Sequence, residues 1–262
     1  MKFLISPLGT RGWMPLENRH TTSFFLKYKN TNILLDCGTG ITRFLQPEIN
    51  SLLNGNPLHI IFSHYHLDHI IGLTYLGGIF EKEYKIKLYG PSDKIIDKGL
   101  MHSCQYVTSA PIFATPISKT TLDLEFFEID DYKFEINGID IKLIRQEHKG
   151  GSVGIKIDNQ ICFFTDTKPN ANLIDFAMNV NVLIHEASSL DFNEKAQYHS
   201  NIYDAFYAAK KAQSKVLIPT HFSHLTKEAD IQNLKKYQSI DFNFIIPNEG
   251  ENYYFDGQQL LQ

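Results

Sequence analysis

The sequence predicts an α/β protein of two mixed β-sheets with helices on the outside. Three observations lead there. Short apolar runs recur along the chain, and several lead straight into helical patterns. Hairpin signals such as Asn137-Gly138 separate others. The most informative run is residues 58–62, apolar with two isoleucines, which reads as a buried strand. It ends in Ser-His-Tyr-His-Leu-Asp-His-Ile-Ile-Gly (63–72), and an apolar, helical pattern continues over 70–80. His64, His66, Asp68 and His69 therefore stand on a strand-to-helix turn, the place where α/β sheets bind ligands. Alternation along an extended turn points His64, His66 and Asp68 one way, while His69 starts the helix and faces another. That arrangement suits two metals better than one. The alternative is a polar turn with incidental histidines.

Length and composition bound the rest. The 262 residues are 43% hydrophobic and 21% charged, as in globular proteins, and read as one domain over 1–262. A net charge of -4 argues against a broad nucleic-acid surface. Three widely spaced cysteines, Cys37, Cys104 and Cys162, make no disulfide framework and favour a reducing compartment. No signal peptide or membrane-length apolar run is evident, so the expected location is cytoplasmic, away from membranes.

The elements follow in order. Residues 2–8 read as a strand, with a turn at Gly9-Thr10-Arg11-Gly12. Residues 22–28 and 33–35 form a hairpin across 29–32. Asp36 is placed to cap a helix over 41–53, interrupted by Pro47. A strand over 86–89 ends at Gly90-Pro91, and Ser92 then caps a helix over 93–103. Residues 104–119 are less regular, with Pro111 and Pro116. Strands follow at 122–127, 133–136 and 139–145, the last leading to His148 and the glycines at 150, 151 and 154. A hairpin joins 155–157 to 161–165 through Asp158-Asn159 and ends at Asp166. Then come a strand over 180–184, an alanine-rich helix over 203–212, a strand over 215–218 leading to His221, and a helix over 227–237. Edge strands at 242–246 and 253–255 complete the chain.

His64-x-His66-x-Asp68-His69 resembles the signature of the metallo-β-lactamase superfamily, and the resemblance extends over nearly the whole chain. It implies a four-layer αββα sandwich with a one- or two-metal site. It implies that His64, His66 and His148 hold one metal, that Asp68, His69 and His221 hold the second, and that Asp166 bridges them. Asp36 then braces the metal loop. Two divalent ions are expected, with Zn best suited to five His and two Asp, and Mn or Fe fitting the same set. Lying near the pocket mouth of related enzymes, His102 and Tyr106 become candidate substrate contacts; ordinary loop packing is the alternative.

Further motifs narrow the branch. His185-Glu186-Ala187-Ser188 and His199-Ser200 look like the His-Glu-Ala-Thr and His-Ser-Thr motifs of the ribonuclease Z group, and Leu8-Gly9-Thr10 with residues 15–23 looks like its first loop. The resemblance implies that Glu186 holds His199, which protonates the leaving oxygen. The other readings are a structural carboxylate for Glu186 and a helix start for His199. Three features depart from the group. Only a short hairpin joins Gly154 to Asp166, where ribonuclease Z inserts its tRNA-gripping arm; Leu225 stands where Arg is expected; Ile155 replaces a frequent Tyr.

The expected function is therefore a di-zinc phosphodiesterase acting on a small nucleotide ester such as a cyclic nucleotide. A hydroxide formed from water between the metals attacks phosphorus, with Asp68 helping to position it and His199 as the acid. The alternatives are a tRNA 3′ endonuclease, a lactonase of the same fold, and a non-enzymatic scaffold. Related di-iron redox proteins usually carry Glu at the position of His66. Related enzymes are often dimers, which implies a homodimer.

Overall fold

The computed structural model describes residues 2–16, 18–191, 198–237, 243–257 and 259–261. The first sheet contains β1 (Phe3–Gly9), β2 (Ser23–Tyr28), β3 (Thr31–Leu35), β4 (Leu58–Ile61), β5 (Lys85–Pro91) and β6 (Asp123–Ile129), with β14 (Tyr253–Phe255) and β15 (Leu260–Leu261) added beyond β1. The second contains β7 (Lys133–Ile136), β8 (Ile139–Gln146), β9 (Ser152–Ile157), β10 (Ile161–Phe164), β11 (Val182–Glu186), β12 (Val216–Thr220) and β13 (Asn243–Phe244), in reverse spatial order. Each sheet is mixed. Antiparallel pairing joins β1 to β3 and β7 to β10; parallel pairing runs from β3 to β6 and from β10 to β13.

Strand alternation sorts the apolar residues into layers. Ile5, Phe24, Leu26, Ile33 and Leu35 of the first sheet meet Ile141, Ile155, Phe163, Ile184 and Ile218 of the second. Their neighbours Leu4, Phe25, Leu34 and Ile60 face outward onto Ile41, Phe44, Leu73 and Leu100. On the far side Cys162, Phe164, Leu183 and Leu217 pack on Leu173, Ala205, Phe206 and Ile231. Apart from β6, β7 and β8 and the short β13, β14 and β15, which carry exposed residues, the strands are apolar on both faces and so read as continuous apolar runs. Burying one such Ile, Leu or Phe contributes roughly 1.5–3 kcal/mol. The result is the expected helix-sheet-sheet-helix sandwich of the metallo-β-lactamase type.

Several local expectations need correction. The first hairpin turns on Lys29-Asn30 alone, both left-handed, so β3 starts at Thr31. Helix 41–53 is a broken series: a 3-10 turn at Thr39–Leu45, a short α-helix at Pro47–Asn50, and another 3-10 turn at Ser51–Leu53. Pro47 takes the first helical position, where its missing N–H costs nothing. β5 runs through Gly90 and Pro91, which pair with Glu128 and Ile129. Ser92 caps only a turn, through Lys94, and the helix beyond it is Leu100–Val107. Tyr253–Phe255 is no edge, because β15 pairs with it. Residue 17 of the expected first loop and residue 242, where the penultimate strand was expected to begin, lie outside the described residues. All three cysteines are free and buried. Among the described residues no helix is long and apolar enough to cross a membrane.

Candidate metal centre

Parallel pairing brings the C-terminal ends of β3 and β4 to one edge of the first sheet, and those of β10, β11 and β12 to one edge of the second. β8 runs the same way as β10, because both are antiparallel to β9. The residues just past these ends are Asp36, His64, His148, Asp166, Ala187 and His221, with Glu186 the last of β11. Three of them, Asp36, Asp166 and His221, have φ of 57, 53 and 55°. This left-handed backbone, uncommon outside glycine, bends the chain sharply over the sheet edge.

Two groups of donors form the centre. His64, His66, His148 and Asp166 make one; Asp68, His69 and His221 make the other; a third set, Asp166, His199 and His221, overlaps both. In the first, His64 Nε2 lies 3.1 Å from His66 Nδ1, His66 Nδ1 lies 3.0 Å from His148 Nε2, and His148 Nε2 lies 3.4 Å from Asp166 Oδ1. In the second, His69 Nε2 and His221 Nε2 lie 3.3 and 3.4 Å from Asp68 Oδ2. Asp166 Oδ2 approaches the same two nitrogens at 3.1 and 3.0 Å. Asp166 therefore offers one oxygen to each group. Donors on a tetrahedron with metal–nitrogen bonds of ~2.0–2.1 Å sit about 3.3 Å apart. The buried His69 Nε2 and His221 Nε2 make no hydrogen bond despite these carboxylates. The arrangement fits a dimetal site.

The surroundings fix the rings. Asp36 Oδ2 accepts from His69 Nδ1 at 2.7 Å, and Asp36 also accepts from the Ser63 N–H and hydroxyl, both at 2.7 Å. A carboxylate only accepts, so His69 carries its proton on Nδ1 and turns Nε2 inward. Asp36 is thus a brace; the adjoining 3-10 turn has Gly38 before it and no side-chain cap. His148 Nδ1 donates to the Tyr198 carbonyl at 3.4 Å. Burial, aided by the charge of His69, holds His64 well below the ordinary histidine range. For Asp166 burial pushes upward, but His221, His69 and His64 outweigh it and hold the carboxyl well below the usual range.

One orientation differs from expectation. Asp68 sides with His69 and His221 rather than with His64 and His66. Alternation stops at His66, which precedes the short helix Leu67–Ile70 and places Asp68 in its first turn. The Trp13 N–H donates to Asp68 Oδ2 at 2.7 Å.

Glu186 is fully buried. It accepts from the Thr167 N–H and, at 2.9 Å, from His199 Nδ1. His199 Nδ1 lies 3.8 Å from Asp166 Oδ1. Burial lowers the His199 pKa, but the Glu186 hydrogen bond and charge, with Asp166 behind them, overcome this and hold it up at about 9. His199 does not start the following helix: Ile202–Lys211 is capped by a reciprocal Asn201/Asp204 pair.

These groups open into a cleft of about 1090 Å³, lined also by Trp13, Met14, Lys149, Tyr198, His224 and Leu225. His102 and Tyr106 line a separate cavity of about 310 Å³ with Tyr65, Ile96 and Gly150, which touches the site through His64 and His66. Three contributors carried no sequence signal. Trp13 and His224 form the cleft rim. Buried Arg11 donates to the carbonyls of Ser223 and Thr226 at 2.7 and 2.6 Å, pinning the loop after His221.

Comparison with known proteins agrees with this geometry. A family profile described as anti-Pycsar protein Apyc1 matches residues 4–242. Ribonuclease Z of Agathobacter rectalis is 29% identical over 281 residues, covering 85% of this chain and 88% of its own length. Ribonuclease Z of Saccharolobus solfataricus is 28% identical over 286 residues, covering 92% and 96%. The crystal structure of YhfI from Bacillus subtilis, a metallo-β-lactamase fold protein, superposes with a TM-score of 0.73 at 20% identity, over 97% of this chain and 99% of that one.

Proposed function

We propose, from the premise that the chain belongs to the anti-Pycsar protein Apyc1 family, that it hydrolyses small nucleotide phosphodiesters, cyclic nucleotides first among them. The protein is a metal-dependent hydrolase of the metallo-β-lactamase fold, similar to ribonuclease Z. In this reading His64, His66 and His148 hold one divalent ion, Asp68, His69 and His221 a second, with Asp166 shared. Bound ions supply Lewis acidity, lowering the pKa of a water from 15.7 to roughly 7 and drawing charge from the nonbridging phosphate oxygens. Zn is the ion this donor set suits best, with Mn and Fe next. Asp68, fixed by the Trp13 N–H, orients the attacking oxygen. Glu186 holds His199 at 2.9 Å with a proton to give. That proton passes to the departing alkoxide oxygen as the P–O bond breaks, and Glu186 stabilises the imidazolium until then.

The Glu186/His199 pair is the observation that carries the proposal. A poor alkoxide leaving group needs a proton, whereas lactone opening needs less help. The short turn between β9 and β10 supports a small substrate. Ribonuclease Z inserts its tRNA-gripping arm at that point, and here Ile157 pairs directly with Ile161. Affinity for a long polyanion comes from many phosphate contacts, and a chain with net charge -4 and no arm there offers few. The second reading, a tRNA 3′ endonuclease, is favoured by the likeness to ribonuclease Z.

One preparation, assayed at near-physiological salt with Zn and with Mn, separates the two. The expected result is a much higher kcat/KM for cyclic mononucleotides than for precursor tRNA. Cleavage of precursor tRNA at one position, with cyclic nucleotides left intact, reverses the choice.

A further inference from the structure

We infer that Trp13 is a stacking platform for the nucleobase of the substrate, a specificity-determining residue at the cleft mouth. The inference rests on the nucleotide phosphodiesterase reading above and names the part of the substrate that reading leaves unheld.

Trp13 is the one tryptophan of the chain, and the residue is 68% exposed. An indole in water forgoes the burial that normally justifies its size. Its backbone φ is 67°, a left-handed conformation that is a genuine outlier for a bulky residue. Such strain persists only where surrounding contacts over-determine it, and here they do. The Trp13 N–H is bound to Asp68 at 2.7 Å, and the Gly12 N–H to the Phe222 carbonyl at 3.1 Å. The loop is thereby bolted to both chain segments that supply the second donor group. Gly12 lies so close to the His221 ring that a Cβ there would come within 2.3 Å of it.

The indole is also braced. The His224 ring meets it at 88° with centroids 4.6 Å apart. A perpendicular contact of this kind steadies an aromatic ring and covers at most one of its two faces. Trp13 lines the same cleft as His66, Asp68, Asp166 and His199. With its N–H on the Asp68 carboxylate and an N–Cα bond of ~1.46 Å, its Cα lies within about 4 Å of that oxygen. A phosphodiester held at the donor groups thus has its nucleoside beside a fixed, exposed aromatic face. Every base has a π-face, so stacking supplies affinity without demanding one particular hydrogen-bond pattern.

Because Trp13 is the sole tryptophan, its emission reports on this position alone. Uridine 5′-monophosphate and adenosine 5′-monophosphate are titrated into the metal-loaded protein, with ribose 5-phosphate as the base-free probe. Saturable quenching by both nucleotides and none by ribose 5-phosphate is expected. Kinetics form the second arm. Trp13→Ala should lower kcat/KM for a cyclic nucleotide roughly 10–100-fold, mainly through KM, and Trp13→Phe should recover most of it. Trp13→Ala keeps the backbone N–H on Asp68, so hydrolysis of 1-O-methylribose 3′,5′-cyclic phosphate, which has no base to stack, should stay within about twofold of wild type. Equal losses on both substrates, or nucleotides that leave the emission unchanged, overturn the platform while leaving the phosphodiesterase reading intact. Quenching without hydrolysis of either diester keeps the platform and overturns the reaction. An emission shift that follows protein concentration alone means that a second copy covers Trp13, and that also overturns the proposal.

Discussion

His199 shows how one residue separates the proposed chemistry from its rivals. Its side chain is about a third exposed, at 31%, while its partner Glu186 is fully buried. The carboxylate therefore cannot relax toward solvent, and the histidine pKa stands at about 9. A donor held in this way matters in proportion to the basicity of the leaving oxygen. His199→Ala should lower turnover of a nucleotide diester by 10²–10⁴-fold, the usual range for general acid catalysis. The loss on a p-nitrophenyl ester should be far smaller, because p-nitrophenolate departs without a proton. Metal content, measured on the same samples, should not change. Glu186→Gln should follow the same pattern more mildly. Equal losses on good and poor leaving groups would show that His199 holds structure and donates no proton.

Among the elements, the loop from Thr10 to Met14 is held at several points and leaves little trace in the sequence. Gly12 is there because nothing larger fits against His221. Gly12→Ala must push either the loop or the ring. The expected outcome is a chain that keeps the ion at His64, His66 and His148 and loses the one at Asp68, His69 and His221. Elemental analysis should fall from two metals per chain toward one, with activity down about 10²-fold, as expected for a misplacement near 1 Å. Two ions and full activity would remove the loop from the site. The same loop marks where sequence reading stops. The cluster of residues 63–72 was legible because four donors fall within six positions after an apolar strand. Asp166 and His221 were legible only through their likeness to a known signature, since a polar residue at a strand end has many uses. Alternation alone sends Asp68 to the side of His64 and His66, because nothing in the spelling of 63–72 shows a helix starting at Leu67; the likeness to a known signature groups it with His69 and His221, where it lies. Trp13, Arg11 and His224 belong to no motif, and their roles come from long-range packing alone. The strands were found almost throughout because buried parallel strands are unbroken apolar runs; the 3-10 breaks at Thr39–Leu45 and Ile71–Tyr75 follow tertiary packing that periodicity does not encode.

Across the whole molecule, the two donor groups join the two sheets. His64, His66, Asp68 and His69 follow β4 of the first sheet, while His148, Asp166 and His221 follow β8, β10 and β12 of the second. Each group draws on both sheets, through His148 in one and His221 in the other, and Asp166 offers an oxygen to each. Bound ions would therefore act as cross-links at the open edge of the sandwich, where the apolar layer between the sheets ends. A ligand that binds only the folded state stabilises it by about 4.1 kcal/mol at a free concentration of 1,000 Kd. For a chain of this size each kcal/mol raises Tm by roughly 2–4 °C, so removing the ions should lower Tm by on the order of 10 °C. Calorimetry in a Zn buffer and in excess chelator measures the difference. Far-UV circular dichroism below the transition should be unchanged, because the hydrogen bonds of both sheets do not depend on the site. Asp166→Asn weakens both sites at once, since Asp166 faces both groups, and its Tm should respond little to chelator. A wild-type Tm indifferent to chelator would mean that the sheets are held by their apolar interface alone. A chelator effect equally large in Asp166→Asn would place the stabilising ion somewhere other than between the sheets.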